Sequence, residues 1–449
     1  TNERAGTVRI VGLPLPEEGG WMRVALVRGK WHSCWEALSC GYLKSFTEDL
    51  VAPEDYVFYD GWFDNEEEIV RGCAECDVVG FSGTTSQMPW SLRTASRIRE
   101  RNPGVRIYVG GYGPSVDPAG FEGRVTGVVV GEGERPWRDI LLSGGMEEGI
   151  IFRPAVPNLD SLPFPDRDFI KEERCAAIAK KEEGRKVFSM LGNRGCLRRC
   201  KFCADGSPKT IYGVPLRERS PIDILAELRL VHLKYQPEFF KFADPEVNTR
   251  PGRIRELATA MIDAKWDVPW GGNMLVNPFD EKDAEMLYRA GCREVWMGLE
   301  SGNAEIQRHI GKGINLTTIR RAFKAAKDAG LMRRAYVLMG TPLETKETIR
   351  ETEALIDEVK PDTVSFSILA PYPGTEYYRP EFADWDWEKV DEYGGDVNQF
   401  HNLGLTRMTR PELLTERLKL IEKYRGNLSS IMHRKIALGV IDTGEIQVN

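Results

Sequence analysis

Cys196-Leu197-Arg198-Arg199-Cys200-Lys201-Phe202-Cys203 decides how this chain is read. Three thiols fall within eight residues, with no fourth Cys or His beside them. A structural zinc site closes its tetrahedron with four protein ligands, so three leave a coordination position open. Soft thiolates in tight clusters also hold iron–sulfur centres. A [4Fe–4S] cube on three cysteines leaves one iron free for a small molecule. Buried thiols with no metal are the remaining alternative. Nine cysteines in 449 residues, with no signal-peptide pattern at Thr1–Gly20, favour metal binding or catalysis over a disulfide framework.

The length leaves room for two or three domains and a large core. With 41% apolar and 29% charged residues the composition is that of an ordinary globular protein. No apolar run approaches the roughly eighteen residues of a membrane span, so the expectation is a cytoplasmic protein with no membrane partner. A net charge of −7 and a pI near 5.6 argue against nucleic acid as partner and suit a cationic small substrate.

Working outward, the first 150 residues alternate short apolar runs with amphipathic ones. Met22–Val27, Tyr56–Tyr59, Val78–Ser82, Arg106–Val109 and Gly127–Val130 read as strands. Cys34–Thr47, Asn65–Glu75, Trp90–Arg101 and Pro136–Leu142 read as helices. This α/β alternation predicts a doubly wound, Rossmann-like parallel sheet over 1–150, with ligands at its strand ends. Residues 151–185 read as a linker, centred on the proline-bearing Asn158–Asp166. Over 186–380 the pattern runs through six βα cycles, which predicts a partial (β/α)6 barrel. Its strands are Val187–Leu191, Phe239–Ala243, Val268–Leu275, Glu294–Leu299, Ala335–Met339 and Val364–Leu369. The cysteine cluster falls just after the first of them, at the functional rim. Residues 381–449 read as a small helical region with one amphipathic helix from Pro411 to Tyr424.

Several segments together resemble the radical S-adenosylmethionine (SAM) family that carries an N-terminal cobalamin-binding-type domain. They are Asp77–Ser82, Tyr108–Gly111, Val130–Glu134 and Leu159–Pro165, then, beyond the cysteines, Trp296–Gly302, Leu338–Pro342 and Pro371–Thr375. The resemblance implies that Cys196, Cys200 and Cys203 hold a [4Fe–4S] cluster whose free iron chelates SAM. One electron, from a donor such as flavodoxin or ferredoxin, then cleaves SAM to a 5′-deoxyadenosyl radical. It implies further that Phe202 lies near the adenine and that Asp244 binds the amino group of SAM. Glu300 would accept from both ribose hydroxyls, and Gly340 would let adenine approach the backbone. Asp244-Pro245-Glu246 departs from the paired aspartates common in the family.

The residues themselves predict that the first domain binds no cobalamin. Asp-x-His-x-x-Gly, which supplies the cobalt ligand in many B12 proteins, is absent, and Gly29-Lys30-Trp31-His32-Ser33 stands in its place. Trp31, Trp62, Trp90 and Tyr112 follow the first four strands, where they would fill the crevice a corrin ring needs.

Among cobalamin-free members, the short chain and the Tyr following the cluster resemble the radical SAM diol dehydratases of aminoglycoside biosynthesis, such as that of the apramycin pathway acting on paromamine. That likeness implies a lyase-type reaction. The radical takes hydrogen from C4′, the C3′ hydroxyl leaves as water, and a separate NADPH-dependent reductase finishes the product. Tyr212 would then quench the product radical, with Asp205 or Glu246 taking part in the accompanying proton movement. Asp205, Glu246 and Glu344 would also grip substrate ammonium groups at the rim. The alternative is a cobalamin-dependent radical SAM C-methyltransferase.

Overall fold

The structure, a computed structural model, describes residues 22–30, 36–204, 216–383, 387 and 405–437. Its first sheet joins β1 (Val24–Arg28), β2 (Tyr56–Asp60), β3 (Val78–Ser82), β4 (Arg106–Gly110), β5 (Gly127–Val130) and β6 (Gly149–Phe152). The strands are parallel in the order β2-β1-β3-β4-β5-β6. Parallel neighbours need crossovers, and here helices fill both faces. In β1 the side chains of Ala25 and Val27 pack under the helices Glu66–Cys73 and Met88–Arg101. Val24 and Leu26 point the other way, toward Leu38–Phe46 and Glu134–Leu142. Chain order reverses between β1 and β3, which opens a crevice at their C-terminal ends. The sixth strand, not expected from the sequence, forms the sheet edge. Only one of its four residues is buried, so no apolar run announces it.

The second sheet runs β7 (Val187–Met190), β10 (Phe239–Phe242), β11 (Trp270–Met274), β12 (Cys292–Glu300), β13 (Met332–Met339) and β14 (Thr363–Ile368), all parallel. Spatial order follows chain order, and among the described residues β7 and β14 do not join, which gives the expected partial barrel. Phe188, Phe240, Phe242, Trp270 and Phe366 fill its core. Local chemistry starts the covering helices where side chains can cap them: Ser220, Asp280, Asn315 and Thr345 each accept an amide of the first turn. Between β7 and β10 a short antiparallel ribbon, β8 (Asn193–Arg194) with β9 (Arg217–Glu218), closes the base of the cysteine loop.

The linker is more structured than its prolines suggest. Residues Glu173–Glu183 form a helix that ends on Gly184 at φ 74°. Before it, the Asp166 amide donates to the Gly41 carbonyl at 3.2 Å. Arg167 bonds Glu172 at 2.6 Å, Glu227 at 2.7 Å and the Ser189 carbonyl at 2.9 Å. The segment is therefore bound to both domains. At the C-terminal end the expected helix runs Arg410–Lys423, and a further one spans Ser430–Ala437. Trp385 lies outside the described residues. Trp387 stacks on Tyr372 with ring centroids 5.8 Å apart. Among the described residues no helix is long and apolar enough to cross a membrane.

Gly302 shows how tightly the barrel closes around the end of β12. A Cβ there would run into the Glu351 carbonyl and lie 2.5 Å from the Thr352 Cα. Its amide also donates to the Thr352 hydroxyl at 2.8 Å. Backbone cannot swing aside as a side chain can. Gly302→Ala is therefore expected to cost about 3 kcal/mol, the upper end for overpacking, read as a lower urea midpoint at unchanged m-value.

Candidate active site

The site begins beneath the cysteine loop. Asp244, just past β10, is fully buried and accepts from the Gly192 amide at 2.8 Å and the Asn193 amide at 2.5 Å. Burial pushes its pKa up to about 7, against the pull of those two amides. The carboxylate thus holds the turn by which the chain leaves β7. The Asn193 side chain donates to the Glu246 carbonyl at 2.8 Å, which ties the same turn to the loop after β10. Gly195, at φ 94°, then swings the chain into Cys196.

Cys196 is buried, while Cys200 and Cys203 are partly open to solvent. The Cys203 amide donates to the Cys200 carbonyl at 3.1 Å, so the last two cysteines share a turn. Burial pushes the Cys200 thiol up to about 11, with nearby Lys312 opposing the rise. Such a thiol gives up its proton when a metal binds it. Among the described residues no three His, Cys, Asp or Glu converge on a single metal-ion point. Thiolates that each bind their own iron of a cube need not do so. The donor set fits a cluster.

Lys312 is the residue the sequence reading missed. It sits between Gly311 and Gly313, both at φ 72°, and the Lys201 amide donates to the Ile310 carbonyl at 3.0 Å. This turn therefore lies against the cysteine loop. The ammonium pairs with Glu300. Burial works against the charge on Lys312, but Glu300 outweighs it and holds the pKa above its ordinary value, with Cys200 and Cys203 adding to the pull. Glu300 adopts φ 60° where β12 slips register against β13 between Gly298 and Glu300. A left-handed, non-glycine residue at a bulge is strained, and such strain collects at functional sites. The Lys312–Glu300 pair lies directly over Gly298, where a Cβ would meet both Lys312 Nζ and Glu300 Oε1 and the pair would have to shift.

The remaining expected residues divide. Phe202 packs on Leu338, Leu369, Tyr377 and Leu405, beside the end of β13 where Gly340 turns at φ 83°. Glu246 is buried, and its charge raises the Cys200 pKa. Glu344, expected as an exposed rim carboxylate, is instead 2% exposed and accepts from the Gly340 amide at 3.2 Å and the Thr348 hydroxyl at 2.9 Å. It supports the turn and does not face solvent. Asp205 and Tyr212 lie outside the described residues.

The described aromatics that follow the strands of the first sheet do not all turn into its crevice. Trp90 is buried in the helical layer, where its indole donates to Glu66 at 2.9 Å. Trp62 faces Arg434, with 5.8 Å from guanidinium to ring centroid. Tyr112 is 43% exposed. Trp31 lies outside the described residues. A residue that follows a strand can turn into the helix layer, so position in sequence does not fix where its ring goes. Gly29, Gly83, Gly111 and Gly131 mark the strand ends. A Cβ on Gly131 would meet nothing nearer than the Phe152 ring at 3.7 Å. Beside the crevice the Ser86 hydroxyl is buried without a hydrogen-bond partner among the described residues. The open strand end at Gly131 and an unpaired buried hydroxyl fit a bound cofactor.

The two domains meet at these loops. Glu132 and Glu134, after β5, pair with Arg194 of β8, and Glu132 also pairs with Arg217 of β9. Burial alone would raise the pKa of Glu134, but Arg194 more than offsets it and holds the carboxylate below the usual range.

Residues 190–356 match the radical SAM superfamily and residues 24–141 match the B12-binding domain. The first domain is thus similar to B12-binding domains, which tells against the expectation of a cobalamin-free first domain. An uncharacterized methyltransferase of Pyrococcus horikoshii is 28% identical over 69% of this chain and 70% of its own length. The bacteriochlorophyllide d C-12(1)-methyltransferase of Chlorobaculum tepidum is 26% identical over 77% and 75%. The anaerobic magnesium-protoporphyrin IX monomethyl ester cyclase of Rubrivivax gelatinosus is 24% identical over 92% and 76%. In fold the chain is similar to the radical SAM methyltransferase TsrM of Kitasatospora setae, solved with cobalamin and a [4Fe–4S] cluster. The TM-score is 0.64 at 18% identity, covering 79% of this chain and 74% of that one. None of these relatives is a dehydratase, and the expected diol dehydration finds no support.

Asp244 gives the site a pH signature. Its folded pKa lies at about 7, above the ordinary 3.8. Across that window the folded chain keeps a proton that the unfolded chain has lost, so this group makes stability fall as pH rises through it and adds nothing further above it. Asp244→Asn does not titrate. Between about pH 5 and pH 7.5 its urea midpoint should therefore fall less than that of the unaltered protein.

Proposed function

We propose that this chain is a cobalamin-dependent radical SAM methyltransferase acting on carbon in a small molecule. The observation that carries this reading is the meeting of the β5 strand-end loop with the base of the cysteine loop, through Glu132, Glu134, Arg194 and Arg217. A cofactor at the strand ends of the first sheet and a cluster on the cysteines would then occupy adjoining sites. The methyltransferase relatives, matched over 69% and 77% of this chain, support the same reading.

When bound, the cluster with SAM supplies radical chemistry and cobalamin supplies a methyl carrier. The chain supplies position and charge. Cys196, Cys200 and Cys203 would hold three irons and leave the fourth for SAM. Lys312 sets a buried positive charge beside those thiolates, which favours their ionised form. Glu300, at the bulge and paired with Lys312, would accept hydrogen bonds from a ribose. Phe202 and the Gly340 turn offer an apolar wall for adenine. Gly131, whose Cβ position meets nothing nearer than 3.7 Å, would leave strand-end space for a corrin. Reduction of the cluster calls for a one-electron donor such as flavodoxin or ferredoxin.

Two measurements test this. After anaerobic reconstitution and gel filtration, the chain is expected to retain hydroxocobalamin at about one per chain, visible in its absorption spectrum. Retention of none would remove the cobalamin-dependent reading. Cys200→Ala should lose the iron–sulfur absorbance and all turnover of SAM while still retaining hydroxocobalamin, because its side chain belongs to the other site. Full SAM turnover in Cys200→Ala would remove the cluster assignment.

A further inference from the structure

The cysteine loop both starts and ends on the two-residue ribbon of β8 and β9, where Arg194 lies directly opposite Arg217. Like charges in cross-strand register repel one another. Both arginines find carboxylate partners in the first domain. The Arg194 guanidinium reaches Glu132 at 3.2 Å and Glu134 at 2.7 Å, and lies over the Tyr42 ring with 5.0 Å to the centroid. Arg217 donates to Glu132 at 3.1 Å and also to the Val156 carbonyl, in the linker. These side chains are largely out of water, with Glu134 at 5% and Arg217 at 8% exposure. Exposed pairs contribute little, but a buried charge that loses its partner is strongly unfavourable.

The two acids sit together in Gly131-Glu132-Gly133-Glu134. Gly131 at φ 84° turns this loop off β5, and Glu134 opens the helix Glu134–Leu142, where the helix N-terminus favours its negative charge. Both therefore stand on the rim of the crevice of the first sheet. One short acidic loop thus fastens both ends of the loop that carries the cysteines.

We propose that Glu132 and Glu134 are positioning residues for the iron–sulfur cluster: by neutralising Arg194 and Arg217 they hold the base of the cysteine loop against the cofactor crevice of the first domain. The inference rests on the proposed function, since it takes the loop to carry a cluster. Neither acid would touch the cluster or SAM. They act through the ribbon, as an outer shell acts on metal ligands.

The test uses the full chain, reconstituted anaerobically with iron and sulfide. Glu134→Gln and Glu132→Gln remove one charge each and keep the shape. In both, iron loss to a chelator should quicken roughly 10-fold, the low end of what losing an outer-shell partner does to a metal site. The electron paramagnetic resonance spectrum of the reduced cluster should also lose its sharp response to SAM, which a general loss of stability would leave intact in the folded fraction. Arg194→Lys, which keeps the charge without the forked contacts, should fall between these variants and the unaltered chain. If Glu134→Gln does not fold, Glu134→Asp serves in its place with the same two readings. Unchanged iron loss and an unchanged SAM response in the Glu132→Gln, Glu134→Gln double variant would overturn the proposal. An unaltered chain that builds no four-iron cluster would instead overturn the radical SAM reading itself, so the two failures are told apart.

Discussion

A carboxylate removed from water survives only where the protein replaces its hydrogen bonds, and Asp244 is the carboxylate on which this site is built. Its donors are the Gly192 and Asn193 amides, just after β7. The direction in which the chain leaves the first barrel strand is thus set by the end of the second. That turn governs the Asn193–Arg194 strand of the ribbon, the glycine at 195, and the entry into Cys196. A cluster loop is mostly irregular backbone with little core of its own, so it needs an anchor of this kind at its root.

The second constraint is charge buried between domains. Arg167 and Arg219 share Glu227 in the interior, while Arg194 and Arg217 share Glu132. Buried ion pairs are poor sources of stability, because desolvation cancels much of their attraction. What they do provide is selectivity among arrangements, since a slipped interface would strand a charge. Glu172 illustrates the tension: burial pushes its pKa up to about 8 although Arg167 bonds both its oxygens. The linker segment around Asp166 and Arg167 is held in the same way. It behaves as a wedge between the domains and not as a tether.

The third feature is strain next to the cysteines. Glu300 occupies a left-handed conformation at a bulge, faces Lys312, and packs with it over Gly298. A regular strand would point its side chain along the pleat. The bulge turns the carboxylate toward the turn that carries Lys312, which itself lies on the cysteine loop. Three separate strand ends, those of β7, β10 and β12, therefore converge on one small volume, and in a parallel barrel the C-terminal rim is where that can happen.

The sequence by itself determined the elements and their class. Alternating apolar runs, cap residues such as Asp280 and Asn315, and glycines at helix ends are local signals, and each describes structure within a few residues of itself. Three closely spaced thiols also state their chemistry locally, because ligand type and number do not depend on the rest of the fold. Tertiary structure decided what depends on direction. It sent Trp90 into the helix layer and left Tyr112 partly exposed, which weakens the argument from aromatics against cobalamin. It buried Glu344 under a turn and put Asp244 beneath the loop. It brought Lys312, more than a hundred residues from Cys200 in sequence, up against the cysteines. The edge strand β6 and the pairing of Glu132 and Glu134 with arginines of the other domain were likewise invisible, since nothing in a linear chain records which surfaces two domains will press together. Periodicity gives each side chain a face of its own element, and only packing of the elements says what that face meets.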